Sequence, residues 1–137
     1  MSRNIKYLAV HCTATAKTAT VSSIQNYWKN ELGWKSPGYH FIIKADGEVV
    51  NLLDINSVSN GVKGFNSVSI NVCYIGGIDE NKKPKDTRTP AQKQSLLNVL
   101  RELRRQFPNA TIQGHRDFPN VAKACPSFDA KTEYKSL

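Results

Sequence analysis

Two of the three histidines in the sequence stand where an apolar run ends. His11 follows the run that begins at Lys6, and His115 follows a short run at 111–113. Cys125 comes ten residues after His115. Two neutral imidazoles and one thiolate supply three positions of a tetrahedral zinc site and leave the fourth open for water, as catalytic sites do. Zinc bound there lowers the pKa of water to about 7 and polarises a carbonyl.

The spacing of these three residues is also compatible with histidines that are simply packed or hydrogen-bonded. The sequence contains neither His-Glu-x-x-His nor a paired Cys-x-x-Cys, which are the more specific zinc patterns. Residue types alone therefore leave both interpretations open.

His40 competes with this set. It lies in the β-rich run 39–43, and neighbours on a regular strand point to opposite faces of the sheet. Tyr39 and His40 therefore cannot both line one site if the strand is regular. The pattern slightly favours a buried, hydrogen-bonded His40.

Other catalytic schemes have less support. Cys12 stands beside His11, but adjacent side chains on an extended chain diverge, and Cys73 lies in an apolar run typical of a buried small residue. The sequence has no Gly-x-Ser-x-Gly elbow, phosphate loop or dinucleotide fingerprint. No pair of acids is placed for glycoside hydrolysis.

The elements that must position these residues alternate between strands and helices. Asp46-Gly47 predicts a hairpin turn because both residues tolerate positive φ. The first helix is predicted to have a capping box at Ser22 and to end at Gly33. The expected strands are 6–10, 39–43, 48–52, a segment within 68–75, and 111–113.

The two predicted helices each carry an apolar stripe. In the first, the stripe consists of Val21, Ile24, Trp28 and Leu32. The second begins at Thr89-Pro90, and its stripe consists of Leu96, Leu100, Leu103 and Phe107. A further short helix is expected after Pro126. This alternation predicts an α/β domain with a mixed sheet.

Composition limits the class of protein. The chain has 137 residues, 39% of them hydrophobic, and a formal net charge of +8. That size predicts one domain with an adequate core, and three cysteines without framework spacing indicate reduced thiols. No apolar stretch approaches a membrane span or a signal peptide. A membrane protein, a disulfide-stapled toxin and a disordered tail are therefore not expected.

Basic residues concentrate between positions 82 and 105. A solvated, solubilising face is the simpler interpretation, and attraction to nucleic acid or an anionic cell envelope is the functional one. Aromatic residues do not interleave with the cluster, which argues against single-stranded nucleic acid. The cluster comprises Lys82, Lys83, Lys85, Arg88, Lys93, Arg101, Arg104 and Arg105.

Six segments, taken in order, resemble a known family. They are Val10–Thr15, Gly38–Ile43, Ser69–Val72 before Gly76-Gly77, Thr89–Gln92, Gly114–Asp117 and Lys123–Asp129. Together they resemble the zinc-dependent N-acetylmuramoyl-L-alanine amidases that share a fold with peptidoglycan recognition proteins. Within that family they look most like the small phage lysozymes of amidase type.

This resemblance implies a site and an architecture. His11, His115 and Cys125 match the ligands of one zinc ion, Tyr39 matches the catalytic tyrosine, and Lys123 matches the basic residue of the phage-type enzymes. His40 matches no ligand. The implied fold is a mixed central sheet of about five strands flanked by helices, with zinc in a surface groove.

The implied reaction is hydrolysis of the amide between N-acetylmuramic acid and L-alanine in peptidoglycan. Zinc activates water and polarises the scissile carbonyl, while Tyr39 and Lys123 face the developing oxyanion. The sequence departs from many relatives at Ser59-Asn60-Gly61, where a further histidine is missing. Substrate positioning at that loop is therefore the part of the resemblance left open.

Several expectations follow for the whole protein. Residues 1–137 are expected to form a single amidase catalytic domain without a separate wall-binding domain, as a monomer. Peptidoglycan is the expected partner, with no membrane insertion and no nucleic acid. Synthesis in the cytoplasm without a signal peptide implies action on the cell wall after holin-type or dedicated release. The alternatives are a non-catalytic peptidoglycan-binding module and a basic nucleic-acid- or protein-binding regulator.

Overall fold

A five-stranded mixed sheet forms the centre of the computed structural model, which describes residues 4–121 and 123–137. Its strand order is β3-β2-β4-β1-β5, with β2, β4, β1 and β5 parallel and β3 antiparallel at one edge. The expected α/β fold with a mixed sheet is confirmed. The strands are β1 Tyr7–Cys12, β2 Phe41–Ile43, β3 Val49–Asn51, β4 Ser69–Tyr74 and β5 Thr111–Gly114.

The β2–β3 hairpin turns at the expected Asp46-Gly47. Gly47 has φ +91°, and its N–H donates to the Lys44 carbonyl at 2.8 Å. Asp46 accepts from the Glu48 N–H at 2.9 Å, which closes the turn. Positive φ is accessible to glycine without a steric penalty, so the pair ends one strand and starts the next.

Both faces of the central strands are buried, as expected for a parallel sheet covered on two sides. One face of β1 and β4 contributes Leu8, Val10, Ile70 and Val72 to the larger core, which packs against the long helix. The other face includes His11 and Cys73, which are partners in the β1–β4 register. Because strand residues alternate, the chemistry-bearing residues share this second face.

The long helix α2, Pro90–Gln106, forms as the sequence predicts. Thr89 accepts from the Gln92 N–H at 3.1 Å and Gln92 Oε1 accepts from the Thr89 N–H at 2.9 Å, a complete capping box. Leu96, Leu100 and Leu103 are buried in the core. These three members of the predicted stripe are confirmed, whereas Phe107 follows the helix as its C-cap and is only partly buried against the same core.

The first helix differs from its prediction. Helix α1 covers Val21–Asn26, and its N-cap is Thr20, whose hydroxyl accepts from the Ser23 N–H, so the predicted cap at Ser22 is wrong. The chain continues as a π-helical turn, Tyr27–Glu31. A π turn needs more residues per revolution, so Leu32 rotates away from the apolar stripe. Its side chain is 42% exposed, which contradicts its predicted burial.

The last segment returns to the larger core. The short helix α3, Ala130–Glu133, follows Phe128, and both Phe128 and Tyr134 are buried in the core beside α2. The Tyr74 hydroxyl donates to the Pro126 carbonyl at 2.6 Å. This bond anchors the loop that carries Cys125 to the central strand β4.

Candidate active site

The structure brings the three predicted metal ligands together at the carboxyl ends of β1 and β5. His11 lies on β1 and His115 starts the turn directly after β5, with ring centroids 4.8 Å apart. One ligand atom each from His11, His115 and Cys125 lies within 4.8 Å of the others. Ligands in open α/β sheets bind at this end of the strands.

The donor set fits a zinc ion. Zinc–nitrogen and zinc–sulfur bonds of about 2.0–2.3 Å place tetrahedral ligand atoms roughly 3.3–3.8 Å apart. Cys125 Sγ lies 3.8 Å from His11 Nδ1. Two imidazoles and one thiol also make up the soft, three-ligand set that catalytic zinc sites use while leaving one position free.

His11 is oriented by a hydrogen bond to Asn71. Its Nε2 donates to Asn71 Oδ1 at 2.7 Å, which leaves Nδ1 facing Cys125. Burial lowers the pKa of His11 to about 3, with further lowering by His115 and Lys123. Burial and Lys123 also lower the pKa of His115. Both rings are therefore neutral at pH 7, the form that binds metal.

Cys125 is positioned by backbone contacts. Its Sγ accepts from the Cys12 N–H at 3.2 Å, and its carbonyl accepts from the Arg116 N–H at 2.8 Å. The second bond ties the Cys125 loop directly to the turn that carries His115. Contact with the Cys12 thiol and burial raise the pKa of Cys125 in the metal-free protein. A cation reverses that preference, because it deprotonates a coordinating thiol.

Tyr39 lies beside His11, one of the candidate metal ligands. Its ring centroid is 4.9 Å from that of His11 and 5.3 Å from that of Trp28. Burial raises the pKa of Tyr39 well above its usual value, and the thiols of Cys73 and Cys125 raise it further. The phenol therefore stays protonated and acts as a hydrogen-bond donor at neutral pH.

Lys123 lies exposed along the same groove. Its positive charge reaches the metal-ligand group, since it contributes to lowering the pKa of both His11 and His115. The groove has a volume of about 740 Å³ and is also lined by Tyr39, His115 and Cys125. All five predicted site residues therefore belong to one region.

His40 has the buried role that the sequence favoured. Its Nε2 donates to the Ser57 carbonyl at 2.7 Å, and its Nδ1 accepts from the Asn71 N–H at 3.0 Å. The residue is fully buried and lies outside the group of three ligand atoms. Strand β2 begins only at Phe41, so the predicted strand start at residue 39 is wrong, and Tyr39 and His40 are separated by the irregular segment before the strand.

Sequence reasoning missed two contributors to the groove. Asn71 supports His11 from β4, and Trp28 packs its ring edge-on against Tyr39. A polar residue within an otherwise apolar buried strand was the available signal for Asn71. Trp28 lies in the π-helical turn. The sequence periodicity predicts a regular α-helix there, so it does not predict the contact of Trp28 with Tyr39.

The expected basic cluster is not one solvated face. Arg88 is buried, with its side chain 2% exposed, and it forms ion pairs with Asp86 and Glu133 at 2.8 Å. Its guanidinium carbon lies 3.4 Å from the ring centroid of Phe128. Arg105 pairs with Glu102 at 2.6 Å on the surface. The counted charges therefore overstate the positive surface available to a polyanion.

The same architecture occurs in solved structures. The N-acetylmuramoyl-L-alanine amidase LysC from Clostridium intestinale superposes with a TM-score of 0.79 at 26% identity, covering 96% of this chain and 83% of LysC. Fold and site together thus define an amidase-type α/β domain with a candidate metal centre in a surface groove.

The family follows from sequence. The N-acetylmuramoyl-L-alanine amidase family matches residues 1–128, and the chain belongs to that family. The endolysin of Klebsiella phage KP32 is 46% identical over 89% of this chain and 80% of that protein. The endolysin of Enterobacteria phage K11 is 44% identical over 93% and 83%. Peptidoglycan amidase activity in cell-wall lysis is the function these matches support.

None of the helices in the described part of the chain is both long and apolar enough to cross a membrane.

Proposed function

We propose that this chain is a zinc-dependent amidase that hydrolyses the bond between N-acetylmuramic acid and L-alanine. The observation that carries the proposal is the convergence of His11, His115 and Cys125 ligand atoms within 4.8 Å, in a groove on an amidase fold. His11 Nδ1 and Cys125 Sγ are ligands of one zinc ion, and His115 supplies the third. When bound, zinc supplies Lewis-acid polarisation of the carbonyl and activation of water.

The chain's own residues carry the remaining steps. The Tyr39 phenol stays protonated beside His11 and donates to the oxygen that becomes negative as the scissile carbonyl turns tetrahedral. The Lys123 ammonium, which lines the same groove, provides a second donor, and this one is positively charged. Donors that are already oriented in a partly dry site stabilise such charge more than water does.

The groove also has an apolar wall that provides a surface for the substrate. Tyr27 and Leu32 are 54% and 42% exposed, and both line the groove beside Trp28 and Trp34. Exposed apolar residues in a concave site are typical of ligand contact. We propose that this wall contacts the muramyl peptide while the amide lies over the metal ligands.

The proposal extends to the setting of the reaction. Residues 1–137 act as one amidase catalytic domain, a monomer whose partner is peptidoglycan. The endolysin relatives support action on the cell wall, and the proposal places that action after holin-type or dedicated release.

Zinc content and wall hydrolysis test the proposal together. We expect the purified protein to hold about one zinc per chain and to release stem peptides from purified cell wall. His115→Ala should lose both properties while keeping its far-UV circular dichroism. Binding to the wall without release of peptides would instead support the non-catalytic module. Full activity in a metal-free preparation would contradict zinc dependence.

A further inference from the structure

A chain of buried hydrogen bonds runs from His11 into the protein interior. His11 Nε2 bonds Asn71 Oδ1 at 2.7 Å, and Asn71 Nδ2 donates to Ser59 Oγ at 2.7 Å. Ser59 Oγ lies 3.2 Å from His40 Nδ1, and His40 Nε2 bonds the Ser57 carbonyl at 2.7 Å. The chain thus connects a candidate metal ligand on β1 with the segment between β3 and β4.

Donor and acceptor roles along this chain are mutually dependent. The Ser57 carbonyl only accepts, so His40 carries its proton on Nε2 and its Nδ1 accepts from Ser59 and the Asn71 N–H. Ser59 then accepts from the Asn71 amide nitrogen. The Asn71 oxygen is thereby turned toward His11, whose Nε2 must be the protonated nitrogen.

Burial makes these roles costly to change. Asn71, Ser59 and His40 are 0% exposed, so a reversed amide would leave buried donors facing each other. Gly61 packs against the Asn71 amide so closely that a Cβ at Gly61 would collide with it. The amide therefore has neither solvent nor space in which to turn over.

We propose that Asn71 is a positioning residue of the metal centre, which selects the His11 tautomer that presents an unprotonated Nδ1 to Cys125 and His115. Ser59 and His40 hold the amide in the orientation that does this. The inference rests on the proposed metal centre, because a fixed tautomer matters only if Nδ1 is a ligand. Partners behind a metal-binding histidine act in this way, and losing one costs roughly 10–100-fold in metal affinity.

The metal-free protein provides the first test. In ¹⁵N-detected imidazole spectra at neutral pH, we expect His11 to show a single tautomer with the proton on Nε2. Asn71→Leu removes the acceptor, so its His11 should populate both tautomers. Asn71→Asp retains an acceptor oxygen and should retain the single tautomer. A single Nε2–H tautomer in Asn71→Leu would overturn the proposal.

Zinc affinity provides the second test, by competition with a chromophoric chelator. Asn71→Leu should raise the zinc Kd by roughly 10–100-fold, whereas Asn71→Asp should stay close to the wild type. Ser59→Ala, a milder change, should raise Kd by a smaller factor because the amide loses the partner that orients it. Thermal unfolding of each metal-free variant verifies that it is folded.

Gln92→Leu is the matched control. Gln92 is also a fully buried amide, but its Nε2 donates to the Ile43 and Ile75 carbonyls beneath α2 and does not reach His11. It should lose stability and keep the wild-type zinc Kd. If Gln92→Leu weakens zinc as much as Asn71→Leu, or Asn71→Asp fails to rescue, the proposal is wrong. A wild-type protein that binds no zinc would overturn the metal centre itself as well.

Discussion

Two clusters of polar side chains lie in different layers of this small domain, and each has one buried member, His11 in the first and Arg88 in the second. In the groove, His11, His115 and Cys125 direct metal-binding atoms at one another. Beside α3, Arg88 lies between Asp86 and Glu133 and over the Phe128 ring, in the core that α2 shares. The first cluster could be completed only by a cation from outside, whereas the second contains its own cation.

The difference separates function from stability. A buried guanidinium with two carboxylates and a ring face is satisfied within the chain, so it contributes to holding α3 on the core. Converging neutral ligand atoms gain little from one another without a metal. Removing a group from the first cluster should therefore cost activity with little loss of folding, and the reverse should hold for the second.

The largest effect is expected from Cys125→Ser. Loss of the proposed thiolate ligand should reduce amidase activity by several orders of magnitude, because a metal held there would supply both the activation of water and the polarisation of the carbonyl. Zinc content by mass spectrometry and peptide release from cell wall measure this. Cys12→Ala is the control, since Cys12 touches Cys125 but lies outside the ligand group, and it should keep one zinc. Wild-type zinc content in Cys125→Ser would remove this cysteine from the ligand set.

Tyr39→Phe should have the next largest effect on activity. It removes one protonated donor beside the metal ligands and keeps the ring that packs against Trp28. Loss of a single oxyanion donor lowers kcat by roughly 10²–10³. Steady-state kinetics on a soluble muramyl peptide should show this fall with zinc content unchanged. An unchanged kcat would restrict Tyr39 to a packing role.

Arg88→Ala tests the other cluster. It leaves two carboxylates without their partner and should lower the free energy of unfolding by about 3 kcal/mol in urea titrations. This is the lower end for breaking a buried pair, since both acids keep some contact with water. The zinc Kd should not change. Arg105→Ala, which breaks the exposed pair with Glu102, is the control and should leave the urea midpoint near wild type. If both variants lose the same free energy of unfolding, the comparison between the two clusters is wrong.

The smallest expected effect is on the stability of the protein at acidic pH. Hydrogen bonds from Arg88 lower the pKa of Glu133, and for Asp86 they outweigh burial, which alone would raise the pKa. Carboxylates with lowered pKa values stabilise the fold fully above their unfolded pKa values, about 4, and lose that contribution as pH falls through the folded ones. As pH is lowered from about 5 to 2, the free energy of unfolding should therefore fall less steeply for Arg88→Ala than for wild type. If the free energy of unfolding depends on pH in the same way in both proteins, the ion pairs of Arg88 do not contribute to the acid dependence of stability.

Local patterns predicted most of the elements. The Thr89–Gln92 capping box, the α2 stripe and the Asp46-Gly47 hairpin depend on residues close in sequence, and all three formed as expected. The end of the first helix did not, because the π-helical turn at 27–31 turns Leu32 into the groove. A period of 3.6 residues carries no information on where a helix widens.

The metal ligands show where sequence reasoning depended on resemblance. Spacing left the role of His11, His115 and Cys125 open, and only the six ordered motifs favoured it. Family membership and the fold are confirmed by the comparisons and the sheet order. The roles of Tyr39 and Lys123, and zinc itself, stay predictions that the experiments above decide.

The sequence by itself determined the strand and helix types, the family and the residues able to bind a metal. Only the tertiary structure decided which side chains meet. Parallel pairing of β1 with β4 and β5 places Asn71 behind His11 and His115 beside it, although 60 residues separate His11 from Asn71. The same packing buries the side chain of Arg88, an apparent surface charge in the sequence, and pairs it with the partly exposed carboxylates of Asp86 and Glu133. Both outcomes depend on contacts between distant segments, and composition and periodicity describe only neighbours along the chain.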